Sequence, residues 1–166
     1  MMNRIIIPLG VWAAAFCVVA ADLEPTAPGA RLEKLAGDFS FTEGPAADAQ
    51  GNVYFTDQPN DRILKWSVGG GLSTYLQPCG RANGLTFDRE GNLWACADEK
   101  NELWRISPDG KKTVVLKDFQ GKLFNGPNDI WICYRPSGVL RSPADTAAAG
   151  RQSAAWIYFT DPYYKR

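Results

Sequence analysis

The 166-residue sequence contains no histidine. The commonest general base and the commonest zinc ligand are therefore both missing. Any hydrolytic chemistry would have to rely on carboxylates, side-chain amides and a hard metal ion. Charge is also balanced, with 18 basic and 18 acidic side chains and no Lys/Arg cluster. This balance argues against nucleic acid as a partner.

Cysteine is scarce, and its four positions have no metal-ligand spacing. Cys17 lies in the N-terminal apolar run, which leaves Cys79, Cys96 and Cys133 in the remainder of the chain. Three cysteines permit at most one internal disulfide. We interpret them as small buried residues.

The N-terminal residues predict export from the cytosol. A positively charged start precedes the apolar run Ile5–Ala20, and small residues follow. This is the pattern of a secretory signal peptide, which we place at 1–21, with a linker at 22–30. A membrane anchor is the alternative, but the run is interrupted by Pro8 and Gly10 and is short for a span of about 20 residues. We therefore expect a secreted or periplasmic protein without stable membrane insertion after cleavage.

A repeat of forty residues organises the rest of the chain. Gly44 matches Gly84, Tyr54 matches Trp94, and the Gly-Asn turn at 51–52 recurs at 91–92. The repeated units contain short β-type runs at Val53–Thr56, Ile63–Trp66, Leu72–Leu76, Leu93–Cys96, Leu103–Ile106 and Thr113–Leu116. Several short strands in about forty residues form the blade of a β-propeller. The sequence thus predicts an all-β fold, with the tryptophans of the strands, including Trp131, in the blade cores.

A third unit begins at Asn125, and its second strand, Ile157–Asp161, closely repeats Val53–Asp57. The intervening stretch 133–156 is rich in Ala, Ser, Pro and Arg and lacks the turn found in the first two units. We interpret it as an irregular insertion, either a disordered excursion or foreign sequence.

Four motifs at blade spacing resemble those of the gluconolactonase and senescence-marker-protein family. They are Phe41–Pro45, Ala82–Thr86, Phe124–Asp129 and Tyr158–Pro162. The resemblance covers 31–166, apart from the insertion. It implies a six-bladed propeller with one divalent cation, usually calcium, in the central channel. The chain would then form an incomplete propeller of roughly two and a half blades.

The resemblance also suggests roles for four residues. Glu43 matches the metal-binding glutamate of the family, and Asn128 matches an asparagine that binds the metal or the substrate. Asn83 and Asp129 are expected to bind substrate, and Asp129 could also brace Asn128. Oxygen donors from successive blades suit Ca²⁺. Turn formation is the alternative role for Asn83 and Asn128, and an exposed strand start is the alternative for Glu43.

The expected activity is metal-dependent hydrolysis of a small-molecule, sugar-type lactone. In the family the metal polarises the lactone carbonyl and a carboxylate acts as general base. The resemblance assigns that aspartate to a later blade, so no catalytic residue is assigned here and impaired activity is expected for this chain. The alternative is a non-catalytic binding scaffold, because propellers support many functions.

Overall fold

A computed structural model describes residues 26–134 and 155–163. The chain divides into two units, Met1–Leu35 and Ala36–Arg166. The described part of the first unit contains a turn closed by Ala30 N–H and Ala27 C=O at 2.9 Å. The predicted signal peptide lies outside the described residues and stays a prediction. In the part of the chain that is described, no helix is long and apolar enough to cross a membrane.

The second unit is built from antiparallel sheets, two of which have four strands. The first sheet has the order β1 (Thr42–Ala47), β2 (Val53–Asp57), β3 (Arg62–Trp66), β4 (Leu72–Leu76). The second has the order β5 (Leu85–Phe87), β6 (Leu93–Ala97), β7 (Glu102–Ile106), β8 (Lys112–Leu116). Sequential four-stranded sheets confirm the predicted all-β, blade-like fold. We call these sheets blade 1 and blade 2.

Two smaller hairpins follow. They consist of β9 (Asp118–Phe119) with β10 (Lys122–Leu123), and β11 (Ile130–Tyr134) with β12 (Ala155–Phe159). We call the β11–β12 hairpin blade 3. Its pairing continues two residues into the predicted insertion from each side, with Cys133 opposite Trp156 and Tyr134 opposite Ala155. Residues 135–154 lie outside the described residues.

The forty-residue repeat has a local physical cause in the turns. In blade 1, the Asp48 carboxylate accepts hydrogen bonds from the backbone N–H of Gln50 and of Asn52, at 3.0 and 2.9 Å. In blade 2, Asp88 accepts from the backbone N–H of Asn92 at 2.7 Å. The Asp48 and Asp88 side chains thus satisfy backbone groups that a tight turn leaves without a partner in the sheet.

A second repeated turn follows β2 and β6. Short 3-10 turns at Gln58–Asn60 and Asp98–Lys100 end in left-handed residues, Asp61 with φ of 52° and Asn101 with φ of 56°. Asp and Asn tolerate this conformation better than other residues with a side chain. The two turns bring equivalent positions of blades 1 and 2 to the same end of their sheets.

The core lies mainly in blades 1 and 2 and where they meet. Its buried members are Tyr54, Ile63, Cys79, Ala82, Leu85, Leu93, Ala95, Ala97, Trp104 and Ile106. The Tyr54 ring packs edge to face against Tyr75 and Phe87, both at 5.0 Å between centroids. The core placement predicted for the tryptophans is wrong for Trp131, which is 60% exposed and stacks on Tyr158.

The prediction that the cysteines are small buried residues is confirmed for Cys79 and Cys96. Cys79 and Cys96 are buried and unbonded, and Cys133 is half-buried and also free. Burial raises the pKa of the Cys79 thiol to about 12. A thiol with so high a pKa carries almost no thiolate at neutral pH, so it is a poor nucleophile.

The starts of blades 1 and 2 each lie against the backbone at the start of the following blade. Gly84 N–H donates to the carbonyl of Asn128 at 2.6 Å. A Cβ on Gly84 would lie 2.6 Å from that same oxygen, and a Cβ on Gly44 would lie 2.5 Å from the carbonyl oxygen of Asn83. Only glycine permits this approach of one main chain to another.

Candidate active-site cavity

A cavity of about 540 Å³ opens where the three blades meet. Its lining residues are Phe41, Glu43, Gln58, Arg81, Asn83, Asp98, Glu99 and Asn128. The structure therefore brings together three residues selected from the sequence, namely Glu43, Asn83 and Asn128. One comes from each blade, and all three carry side-chain oxygen atoms.

Glu43 lies in β1, beside the close approach at Gly44. Its Cα partner across the sheet is Thr56, and the ladder is irregular between Glu43 and Ala46. The residue is half-buried. Burial, and next the negative charge of Asp129, raise the pKa of the Glu43 carboxyl. The surroundings of Glu43 thus disfavour an isolated anion, which is a condition that a bound cation would relieve.

Thr56 ties the backbone of Glu43 to that of Asn83. Its buried hydroxyl lies 3.1 Å from the carbonyl oxygen of each of these residues. A hydroxyl has a single hydrogen to donate, so the two carbonyls share it. The Asn83 N–H donates to Cys96 C=O at 2.9 Å, and Asn83 is only 5% exposed. Asn83 is therefore held through both its backbone N–H and its backbone C=O.

Asn128 is held by its backbone between blades 2 and 3. Its carbonyl accepts from Gly84 N–H, and its own N–H donates to Thr160 C=O at 2.9 Å. Asp129 does not line the cavity, although its carboxylate contributes to the raised pKa of Glu43. Its N–H donates to the Thr160 hydroxyl at 2.9 Å. The substrate-binding roles of Asp129 and Asn83 stay predictions.

Five lining residues were not selected from the sequence. They are Phe41, Gln58, Arg81, Asp98 and Glu99. Arg81 donates to the Gln58 side-chain oxygen at 3.4 Å, and Gln58 donates to Asp98 at 3.5 Å, across the boundary between blades 1 and 2. Gln58 and Asp98 stand forty positions apart at the starts of the two 3-10 turns. The forty-residue repeat is therefore the sequence signal that indicates that these two turns lie at the same edge of the cavity, which we call its rim.

The donor set fits a hard cation better than a soft one. Among residues 26–134 and 155–163, no group of three or more His, Cys, Asp or Glu side chains could hold a metal. The cavity offers instead the carboxylate of Glu43 and the amides of Asn83 and Asn128. Carboxylate and amide oxygens are ligands that Ca²⁺ accepts, whereas Zn²⁺ prefers sulfur and imidazole nitrogen.

Asp57 fixes the chain that leads into Glu43. Its buried carboxylate accepts from the N–H groups of Ser40 and Phe41 at 3.0 and 3.3 Å. The other oxygen accepts from Asn60 at 2.8 Å and from Arg62 at 2.7 Å. Burial alone would raise the pKa of Asp57, but these hydrogen bonds outweigh it and lower the pKa from 3.8 to about 2. The ionised form is thus preferred in the folded protein.

Asp57→Asn is expected to lower the free energy of unfolding by about 2 kcal/mol at neutral pH. Because the folded-state pKa of Asp57 is depressed, its contribution is present above pH 3.8 and lost as the pH falls toward 2. Urea unfolding at a series of pH values should show the two proteins converging over that window. Asp38→Asn, at an exposed aspartate whose left-handed φ of 65° asparagine tolerates, is the control. A difference that stays constant with pH would contradict the prediction.

Comparisons with known proteins point in one direction. No protein-family model matches the sequence. A gluconolactonase from Zymomonas mobilis is 28% identical over 148 residues, which cover 80% of this chain and 36% of the relative.

Two solved structures are also similar. A gluconolactonase from Xanthomonas campestris has a TM-score of 0.53 and 26% identity over 64% of this chain and 38% of its own. A candidate gluconolactonase has a TM-score of 0.61 and 25% identity over 84% of this chain and 54% of its own. The chain thus spans about a third to a half of the length of these proteins.

Proposed function

We propose that the protein hydrolyses a small sugar-type lactone with the help of a divalent cation. The premise is a gluconolactonase and senescence-marker-protein-like family, which these likenesses support. The observation that carries the proposal is the convergence of Glu43, Asn83 and Asn128 on one cavity from three blades. A scaffold that only binds partners has no need for such oxygen donors at one point.

Some cavity residues would hold the cation, and others would orient the substrate. Glu43 supplies the negative charge, and Asn128 supplies an amide oxygen beside it. A divalent cation bound there supplies polarisation of the lactone carbonyl. Asn83 offers a further amide oxygen to the cation, and its amide nitrogen can donate a hydrogen bond to a polyhydroxylated ring. No described residue is assigned as general base, a role that the resemblance gives to an aspartate of a later blade.

Any lactone hydrolysis by the chain, which is expected to be impaired, should be lost when a chelator removes divalent cations and should return when calcium is added. Acid release from a panel of sugar lactones, followed at constant pH, measures this directly. Magnesium and zinc added in place of calcium test the preference for a hard cation with many oxygen ligands.

Two results would contradict the proposal. Hydrolysis that is indifferent to the chelator would rule out the cation as a participant. Saturable lactone binding that persists in the presence of the chelator, without acid release, would favour the alternative of a binding scaffold.

A further inference from the structure

The three oxygen donors of the cavity share a feature that lies outside the cavity. In each case, the residue two positions earlier donates its backbone N–H to an aspartate carboxylate. These hydrogen bonds run from Phe41 to Asp57 at 3.3 Å, from Arg81 to Asp61 at 2.6 Å and from Gly126 to Asp161 at 3.0 Å. The residues two positions later are Glu43, Asn83 and Asn128.

Each of these carboxylates also takes a second backbone N–H from the same segment. The second donors are Ser40 to Asp57 at 3.0 Å, Cys79 to Asp61 at 3.0 Å and Asn125 to Asp161 at 2.8 Å. Two hydrogen bonds from one backbone segment to one carboxylate oxygen fix the orientation of the segment as well as its position. Hydrogen bonds to a charged acceptor are stronger than those between neutral groups.

The arrangement persists in blade 2 although the residue that provides it differs. Asp57 and Asp161 each follow a threonine at the end of a second strand. The corresponding position of blade 2 is Ala97, which has no carboxylate. Asp61 of blade 1 reaches across to hold the segment before Asn83. A shared turn motif alone does not account for a carboxylate that comes from another blade.

None of the three aspartates lines the cavity. We infer that Asp57, Asp61 and Asp161 are positioning residues, each of which sets the place of one cavity donor by holding the backbone two residues before it. The expected consequence is that loss of a holding carboxylate weakens cation binding. This consequence rests on the proposed function. Supporting groups of this kind typically change metal affinity by about 10–100-fold.

Asp61 offers the sharpest test because its conformation permits a matched set of variants. Its left-handed φ is compatible with glycine, so Asp61→Gly removes the carboxylate without straining the turn. Asp61→Asn keeps an acceptor oxygen and suits the same φ, as Asn101 does in blade 2. Asn101→Gly is the control for the flexibility that glycine adds.

Three measurements on the full chain separate positioning from stability. In Asp61→Gly, calcium affinity by titration calorimetry is expected to fall about tenfold. The NMR resonances of the Asn83 side-chain amide in this variant, recorded without calcium, are expected to shift. The backbone N–H of Arg81 is expected to exchange its hydrogen with solvent faster. Asp61→Asn is expected to restore all three. Asn101→Gly should leave affinity and resonances unchanged, whatever it does to the free energy of unfolding.

The inference is overturned if Asp61→Gly matches Asn101→Gly in affinity and in the Asn83 resonances. It is also overturned if Asp61→Asn fails to restore them. A parent protein that binds no calcium would defeat the proposed function instead, and the resonances would then decide the inference. If Asp61→Gly does not fold, Asp161→Ala with the Asn128 side-chain resonances serves the same purpose.

Discussion

Glu43→Gln is expected to lower calcium affinity at least tenfold and to abolish cation-dependent lactone hydrolysis, because Glu43 supplies the negative charge of the three cavity donors. Glutamine keeps the shape and one oxygen of the side chain while removing the charge. The fold should tolerate the change, since neutralising the carboxyl removes an anion whose pKa is already raised by burial. Titration calorimetry and the lactone assay measure the two effects.

Glu99→Gln is the matched control for the loss of Glu43. Glu99 lines the same cavity but is exposed, and it pairs with Lys100 at 3.1 Å. Removing this charge changes the electrostatic potential in the cavity without removing a proposed cation ligand. If both variants lost the same affinity, cation binding would depend on the general charge of the rim, and the role of Glu43 as a ligand would be wrong.

Gly84→Ala is expected to destabilise the protein by about 3 kcal/mol, because an added Cβ would overlap the facing backbone. That Cβ would lie 2.6 Å from Asn128 O and 2.9 Å from Asp129 Cα. These are backbone atoms, which cannot rotate away as a side chain could. Blade 3 would have to move, and the Asn128 side chain would move with it. Denaturant unfolding gives the loss of stability, and calorimetry gives the accompanying loss of calcium affinity.

Gly69→Ala shows what alanine does where no atom is nearby. A Cβ on Gly69 would meet nothing within 4 Å, and its φ lies outside the left-handed range. The substitution should be neutral or slightly stabilising, since it restricts the unfolded chain. A Gly84→Ala protein as stable as Gly69→Ala would mean that the blades are not packed backbone to backbone.

The strands were predictable because their pattern is local. The sequence predicts the run Leu72–Leu76 with the bounds that the structure has, and the other runs to within two residues. Short alternating segments between Gly-Asn turns depend mostly on neighbours in sequence. The same repeat placed Glu43, Asn83 and Asn128 at equivalent positions, so their meeting at one cavity also followed from the sequence.

Features that depend on contacts between blades were not predictable in this way. Nothing near Asp61 in the sequence indicates that it holds the segment before Asn83, because that contact crosses from one sheet to the next. The shared hydroxyl of Thr56 is similar, since only the fold brings Asn83 within its reach. The exposure of Trp131 likewise depends on what packs beside its strand, which hydrophobicity alone does not reveal.

The glycine contacts between blades have a consequence for how such a cavity could change its selectivity. Distances between the three donors are set by main chains that touch at Gly44 and Gly84, whereas Gln58 and Asp98 project from turns on the rim. Substitutions on those turns can reshape what the cavity admits while the spacing of the donors stays the same. Under the proposed function, chemistry and selectivity would lie in separable parts of the chain, and one arrangement of donors could serve lactones of different size.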